Sequence, residues 1–185
     1  GDMLAMDPMD LMGTGGYVVA ANIPYYITSA LIRHLLESRA RPDRLTLTVQ
    51  KEVAQRITAG PGEMSLLALS VQVYGTAWIA ARIPAGAFFP TPKVDSAVVR
   101  VDVSPEPRIP ADRLGLFFRL IKAGFQQKRK MLRNTLGAGL SLPAERAAEL
   151  LLGAGIDPQR RAETLSLDEW SALVGEYRRQ IPASG

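Results

Sequence analysis

Three short stretches of this sequence combine residue types that could do chemistry. In the first, "NIPY" at residues 22–25, an amide, a rigid imide and a phenol ring follow directly on an apolar run, residues 17–21. Pro24 has no N–H to give a sheet ladder, so it ends a strand there. The Asn22 side-chain oxygen can accept a hydrogen bond from an exocyclic amine, the backbone carbonyl of Ile23 or Pro24 can accept a second, and Tyr25 can stack on a ring face. Two acceptors draw the amine lone pair out of ring conjugation and aim it at an electrophile. A plain turn would use the same residues, so the tetrapeptide alone does not decide. The second stretch, "AFFPTPKVDSAVVRV" at residues 87–101, sets Phe88 and Phe89 on a proline-stiffened loop. Adjacent loop aromatics are either folded back onto the core or used for stacking, and a base extruded for chemistry takes an aromatic sandwich. The third, "AGFQQKRKMLRNTLG" at residues 123–137, crowds Lys128, Arg129, Lys130 and Arg133 at the start of a predicted helix over residues 128–136. With Met131, Leu132 and Leu136 turned inward, such a face could follow a phosphate backbone or simply be solvated.

The elements that must position these residues change character along the chain. Residues 17–21 and 45–49 read as strands. The spacing of Leu31, Ile32, Leu35 and Leu36 predicts a helix over residues 28–37, with Thr28 or Ser29 as N-cap. Helices over residues 51–57 and 65–74 follow, then strands over 78–83 and 97–103 joined by the aromatic loop. Strand–helix alternation closing on a strand pair predicts an α/β sheet with an antiparallel edge. The segment "SPEPRIPAD", residues 104–112, holds three prolines in nine residues and reads as a linker. Beyond it come only helical patterns, over residues 113–125, 128–136, 143–152 and 167–179. The domain boundary is therefore placed between residues 1–107 and 108–185.

Composition narrows the chemistry. The chain has 185 residues, 47% hydrophobic and 22% charged, with no cysteine and one histidine. Disulfides, thiolate metal sites and His-rich metal sites are excluded, so no metal is expected. No apolar run approaches the roughly 18–20 residues of a membrane span, which makes the cytoplasm the expected compartment. His34 reads as a surface or packing residue. From residue 108 onward there are 13 Lys and Arg against 8 Asp and Glu, while the first 107 residues carry 9 against 10. A positive excess confined to one half points to an anionic partner such as nucleic acid.

Taken together, "GDMLAMD", "NIPYYITS", "FFPTPKVDSAVVRV", "GFQQKRKMLRNTLG" and "GIDPQRRAETLSLDEW" resemble the bacterial 16S ribosomal RNA adenine dimethyltransferases (the KsgA/RsmA family) from one end of the chain to the other. The resemblance implies the C-terminal part of a Rossmann-like, S-adenosylmethionine-dependent methyltransferase sheet followed by a small all-α domain that binds RNA. It implies transfer of two methyl groups to the amine of each of two adjacent adenosines near the 3′ end of small-subunit rRNA. By the same resemblance, Asp2 holds the cofactor's adenine amine, with the Met3 backbone close to its ring and Asn22 also at the cofactor. Asn22 and the Pro24 carbonyl orient the target amine, Tyr25 stacks on the base and Phe88 closes its other face. Phe89 stands where other members often carry a small polar residue and receives no role. Lys128, Arg129, Lys130 and Arg133 are expected to meet RNA.

One departure sets a further expectation. The glycine-rich donor loop of that family is not in this chain, and "GTGG" at residues 13–16 precedes a different strand. The chain is therefore expected to be part of a larger protein, to bind S-adenosylmethionine poorly or not at all, and to be inactive alone. A monomer acting on the small ribosomal subunit precursor is expected. The alternative is a non-enzymatic RNA- or ribosome-binding assembly module. A DNA adenine methylase is disfavoured by Ile23, where those enzymes commonly carry Pro, and by the helical half.

Overall fold

The computed structural model describes residues 3–14 and 16–181, and of Tyr25 the backbone only. In chain order the elements are α1 (Pro8–Met12), β1 (Val18–Asn22), α2 (Thr28–Glu37), β2 (Arg44–Gln50), α3 (Lys51–Ile57), α4 (Leu66–Gln72), β3 (Gly75–Ile83) and β4 (Ser96–Val103). Then follow α5 (Ala111–Gly124), α6 (Leu132–Leu140), α7 (Ala144–Gly153) and α8 (Leu167–Gln180). The contacts divide the chain into two units, Gly1–Thr58 with Ser70–Arg108, and Ala59–Leu69 with Ile109–Gly185. Among the described residues no helix is long and apolar enough to cross a membrane, and no group of three His, Asp or Glu could hold a metal.

The first unit is built on a four-stranded sheet in the order β1-β2-β4-β3. β1 and β2 run parallel, and the crossover that parallel pairing requires is made through α2. β4 pairs antiparallel with both β2 and β3, giving the antiparallel edge expected from the late strand pair. Alternation sorts the side chains. Leu45, Leu47 and Val49 of β2 lie opposite Val101, Val99 and Ala97 of β4, and all six are fully buried on one face. α3 packs against β2, β3 and β4. On the other face Asp102 receives Arg44 Nε at 2.6 Å and the Arg100 guanidinium at 3.0 Å, and Arg100 lies 4.9 Å above the Trp78 ring. Hydrogen bonds from the two arginines, Arg100 first, hold the Asp102 carboxyl down at about 2.

Two local details differ from the sequence reading. Residues 8–12 form a short helix whose first turn is capped by the Asp7 carboxylate, which accepts from Met9 N–H at 2.9 Å. α2 has the expected bounds, but neither Thr28 nor Ser29 caps it. A single 3-10 turn, Tyr25–Ile27, runs straight into the helix, so Ile27 takes the cap position with φ −105° and ψ −3° rather than the extended geometry a capping side chain needs. Thr28 is consequently buried with its hydroxyl unpaired among the described residues.

The second unit closes four helices into a ring: α5 packs on α6 and α8, and α7 packs on α6 and α8. Phe117, Leu132, Leu151 and Trp170 are fully buried in it, and the Phe125 ring stacks on Trp170 with centroids 6.0 Å apart. Residues 59–69, which the sequence reading kept with the sheet, belong to this unit: Gly62 and Met64 N–H both donate to the Glu163 carbonyl, at 2.9 and 3.1 Å. α5 and α6 approach closely because Gly139 carries no side chain. A Cβ there would lie 2.5 Å from Ala123 Cβ and 2.8 Å from its Cα.

Backbone cannot yield to that clash cheaply, so Gly139→Ala is expected to destabilise the chain by about 1–3 kcal/mol in a denaturant titration. Gly175→Ala on α8, where nothing lies within 4 Å, is expected to be neutral or to stabilise by about 0.5–1 kcal/mol. For Asp102, whose carboxyl is held below its ordinary value of 3.8, the ion pairs add stability above the ordinary carboxylate pKa and lose it as pH falls through the folded value. The difference in Tm between the parent chain and Asp102→Asn is accordingly expected to be constant at neutral pH and to vanish on acidification from pH ~4 to ~2.

Candidate functional site

The first unit carries an open cleft of about 350 Å³ lined by Asn22, Ile23, Pro24, Phe88, Phe89, Pro90 and Pro92. Two segments far apart in sequence meet there. On one side β1 ends at Asn22, which pairs with Thr48 of β2, and Ile23 N–H makes the last bond, 3.4 Å to the Thr48 carbonyl. Pro24 then takes φ −54° and ψ 130° and leads out of the sheet. Ile23 is buried at the base while Asn22 and Pro24 are exposed. The Asn22 side chain makes no hydrogen bond to another described residue, which leaves its oxygen available to a ligand. The Pro24 carbonyl accepts from Ile27 N–H at 3.1 Å, so one of its two lone pairs is already taken.

On the other side stands the loop between β3 and β4. Asp95 anchors it twice: its carboxylate accepts from Ala85 N–H at 3.1 Å, and its backbone carbonyl accepts from Lys51 N–H at 3.0 Å. Phe88 N–H donates to the Ala85 carbonyl at 3.2 Å, and the Phe88 carbonyl accepts from the Thr91 hydroxyl at 3.3 Å. Phe88 is half-buried in the cleft wall and Phe89 is wholly exposed. Asn22, Pro24 and Phe88, separated by more than sixty positions, are thus brought to one place. The Tyr25 side chain lies outside the described residues.

Among the described residues the lining, one amide, a carbonyl and an aromatic wall without a carboxylate, suits a flat ring bearing an amine. It does not fit S-adenosylmethionine, whose ribose hydroxyls and ammonium call for acidic partners. Of the residues assigned to that cofactor, Asp2 lies outside the described residues, Met3 is exposed on the opening turn and does not line the cleft, and Asn22 alone does. His34 stands apart as well. Its Nε2 lies 2.8 Å from the Met6 carbonyl, and since a carbonyl can only accept, the ring donates there and ties α2 to the opening segment.

In the helical unit the basic residues do not lie where the periodicity places them. α6 begins at Leu132, so Lys128, Arg129 and Lys130 occupy the turn before it, all exposed, and only Arg133 is helical. Met131 is extended, with φ −63° and ψ 146°, and that breaks the expected helix. The turn is held from below by "GIDPQRRAETLSLDEW". Leu132 N–H donates to the Arg160 carbonyl at 2.7 Å and Arg133 N–H to that of Pro158 at 3.4 Å. Arg160 Nη2 donates to the Thr164 carbonyl at 2.7 Å, and its guanidinium pairs with Glu169. Glu169 closes a capping box with Ser166 at the start of α8, accepting from Ser166 N–H at 2.8 Å. The Arg160 hydrogen bond, and the Ser166 backbone after it, hold the Glu169 carboxyl below its ordinary value. This clamp was missed in sequence, although a Ser-x-x-Glu capping pattern at residues 166–169 was there to signal it.

The chain is similar to known proteins along nearly its whole length. The model of the family described as "Ribosomal RNA adenine dimethylase" matches residues 2–178. Ribosomal RNA small subunit methyltransferase A of Dehalococcoides mccartyi is 46% identical over 178 residues, covering 95% of this chain and 61% of that protein. The protein of the same name from Desulfitobacterium hafniense is 44% identical over 182 residues, covering 97% and 65%. The crystal structure of 23S rRNA methyltransferase ErmE superposes with a TM-score of 0.72 over 95% of this chain and 69% of that one, at 23% identity, and so shares its fold. The chain thus spans less than two thirds of the length of these curated relatives, but the family match runs over nearly all of it, and by that match it belongs to the ribosomal RNA adenine dimethylase family.

Proposed function

We propose that this chain supplies the base-accepting half and the RNA-binding helical unit of an rRNA adenine-N6,N6-dimethyltransferase. Its substrate is two adjacent adenosines near the 3′ end of 16S rRNA in the small ribosomal subunit precursor, in the cytoplasm. The observation that carries this reading is the meeting of Asn22 and Pro24 with Phe88 in one cleft. S-adenosylmethionine, the methyl source of the family, is bound by the whole protein rather than by the residues described here. The chain's own residues bind and orient. Phe88 takes one face of an adenine and Tyr25 the other. The Asn22 oxygen and the free lone pair of the Pro24 carbonyl accept from the two amine hydrogens and hold the nitrogen lone pair out of conjugation. Both acceptors favour positive charge on that nitrogen, and an ammonium of this kind releases its proton to water, so no histidine or carboxylate base is needed.

The basic turn supports the second part of the reading. Lys128, Arg129 and Lys130 make no ion pair among the described residues, and the Arg160 clamp holds the backbone beneath them. A fixed, unneutralised turn of this kind is suited to phosphates. The non-enzymatic alternative draws on the same turn and is compatible with it, since the helical unit could bind the small subunit by itself.

A chimera placing this chain behind the N-terminal portion of the Dehalococcoides mccartyi relative is expected to transfer labelled methyl groups to undermethylated small subunits. Asn22→Ala is expected to lower that rate by roughly 100-fold or more, with little change in subunit binding; an unchanged rate would remove Asn22 from the site. Replacing Lys128, Arg129 and Lys130 by Ala in the chain itself is expected to weaken small-subunit binding and flatten its log–log salt dependence by about 2. Equal binding by parent and triple variant would show that the turn is not the contact.

A further inference from the structure

Phe89 is the one ring at the cleft that the proposed reaction leaves unused. It lines the same cleft as Asn22 and Phe88, yet it is wholly exposed, with a relative accessibility of 101%. The ring takes no part in core packing, and it stands beside Phe88 in the cleft lining rather than alone on the surface. Phe88 is half-buried in the cleft wall while Phe89 stands exposed, so the cleft offers two separate rings. They can serve two successive bases of one strand.

We propose that Phe89 is a specificity-determining residue that stacks on the nucleotide next to the adenine held against Phe88. This rests on the reading of the cleft as an adenine site. The platform is preset: Asp95 and Thr91 fix the loop through the Ala85 N–H and the Phe88 carbonyl, and Pro90 and Pro92 stiffen it. Little ordering entropy is then lost when a base settles on the ring. The surroundings favour nucleic acid over an apolar protein partner, because the Asn22 amide stands among the rings and prolines of the lining and the same loop carries exposed Lys93. Stacking of this kind is tolerant of base identity and favours unpaired, splayed strands. It would select for a single-stranded flank beside the target.

The test is a titration of this chain with single-stranded RNA heptanucleotides containing two adjacent adenosines. 2-Aminopurine stands on their 5′ side in one oligonucleotide and on their 3′ side in the other. Anisotropy of an end label reports binding, and 2-aminopurine quenching reports stacking. Quenching is expected in one of the two. Phe89→Ser should abolish it and weaken binding by roughly five- to hundredfold, with thermal stability unchanged, and Phe89→Tyr should restore both. Quenching in neither oligonucleotide, or quenching that persists in Phe89→Ser, overturns the assignment. If Phe88→Ser weakens binding while Phe89→Ser changes nothing, the assignment of Phe89 fails alone. If neither variant alters binding, the adenine reading of the cleft fails with it. An apolar protein contact would show as loss of self-association in Phe89→Ser without any change in quenching, and would equally overturn it.

Discussion

The cleft depends on β1 stopping before its neighbour does. Pro24 cannot donate to the ladder, so β1 ends at Asn22 opposite Thr48, while β2 runs on to Gln50 and pairs there with Ser96 of β4. Past the end of β1, Ile23 and Pro24 leave the sheet and form one wall of the cleft. Strand ends of this kind are where open α/β sheets place ligands, because the backbone leaves the sheet on both sides of the gap. Here the other wall comes from the loop that feeds β4. Asp95 holds that wall, joining the start of the loop at Ala85 to the β2–α3 junction at Lys51. Loss of the Asp95 side chain would free the loop without touching the cleft lining, so the geometry of Phe88 is set by a residue that never faces the ligand.

The helical unit repeats that logic with different chemistry. Its basic turn projects from the start of α6, where the first backbone N–H groups lack intrahelical partners. Two of these are satisfied by carbonyls of the α7–α8 connection, and Arg160 and Glu169 fix that connection in turn. Like-charged side chains repel one another, and a loose turn would splay them. The clamp places its own positive and negative charges against each other, which leaves the field of Lys128, Arg129 and Lys130 unspent. The "GIDPQRRAETLSLDEW" segment thus acts on the basic turn chiefly through backbone and packing: Ile156, Leu165 and Trp170 are buried, and Arg160 is committed to Glu169 and Thr164.

Much of this was legible in the sequence, and the failures have physical causes. The bounds of α2 follow from apolar spacing, those of α3 agree with the expected helix over 51–57, and the strand pair flanking the aromatic loop is present, with β3 starting three residues earlier than expected. Periodicity failed at residues 128–131 because Met131 continues the apolar pattern while its backbone is extended. What decides that backbone is a long-range bond from Leu132 N–H to Arg160, which no local window contains. Thr28 misled for a related reason: a capping residue type means little when the preceding turn is already helical in φ and ψ. The placement of residues 59–69 depends on two hydrogen bonds to Glu163, about a hundred positions away. At the cleft, Asn22, Pro24 and Phe88 could be named from residue chemistry, but their convergence could not, because it requires the sheet order β1-β2-β4-β3.

That sheet order also explains why the acceptor residues are so few. A cleft bounded by one strand end and one loop offers only the residues at its two edges, and three of the seven, Pro24, Pro90 and Pro92, end the strand or stiffen the loop. What remains for recognition is one amide, one half-used carbonyl and the rings. Such a set can orient a planar amine and stack on it, but it cannot by itself distinguish one strand of RNA from another. Discrimination must then come from groups that meet the rest of the strand. Under the proposed reading those are the exposed ring beside the cleft, which would select unpaired strands, and the cationic turn of the helical unit, which would meet phosphates.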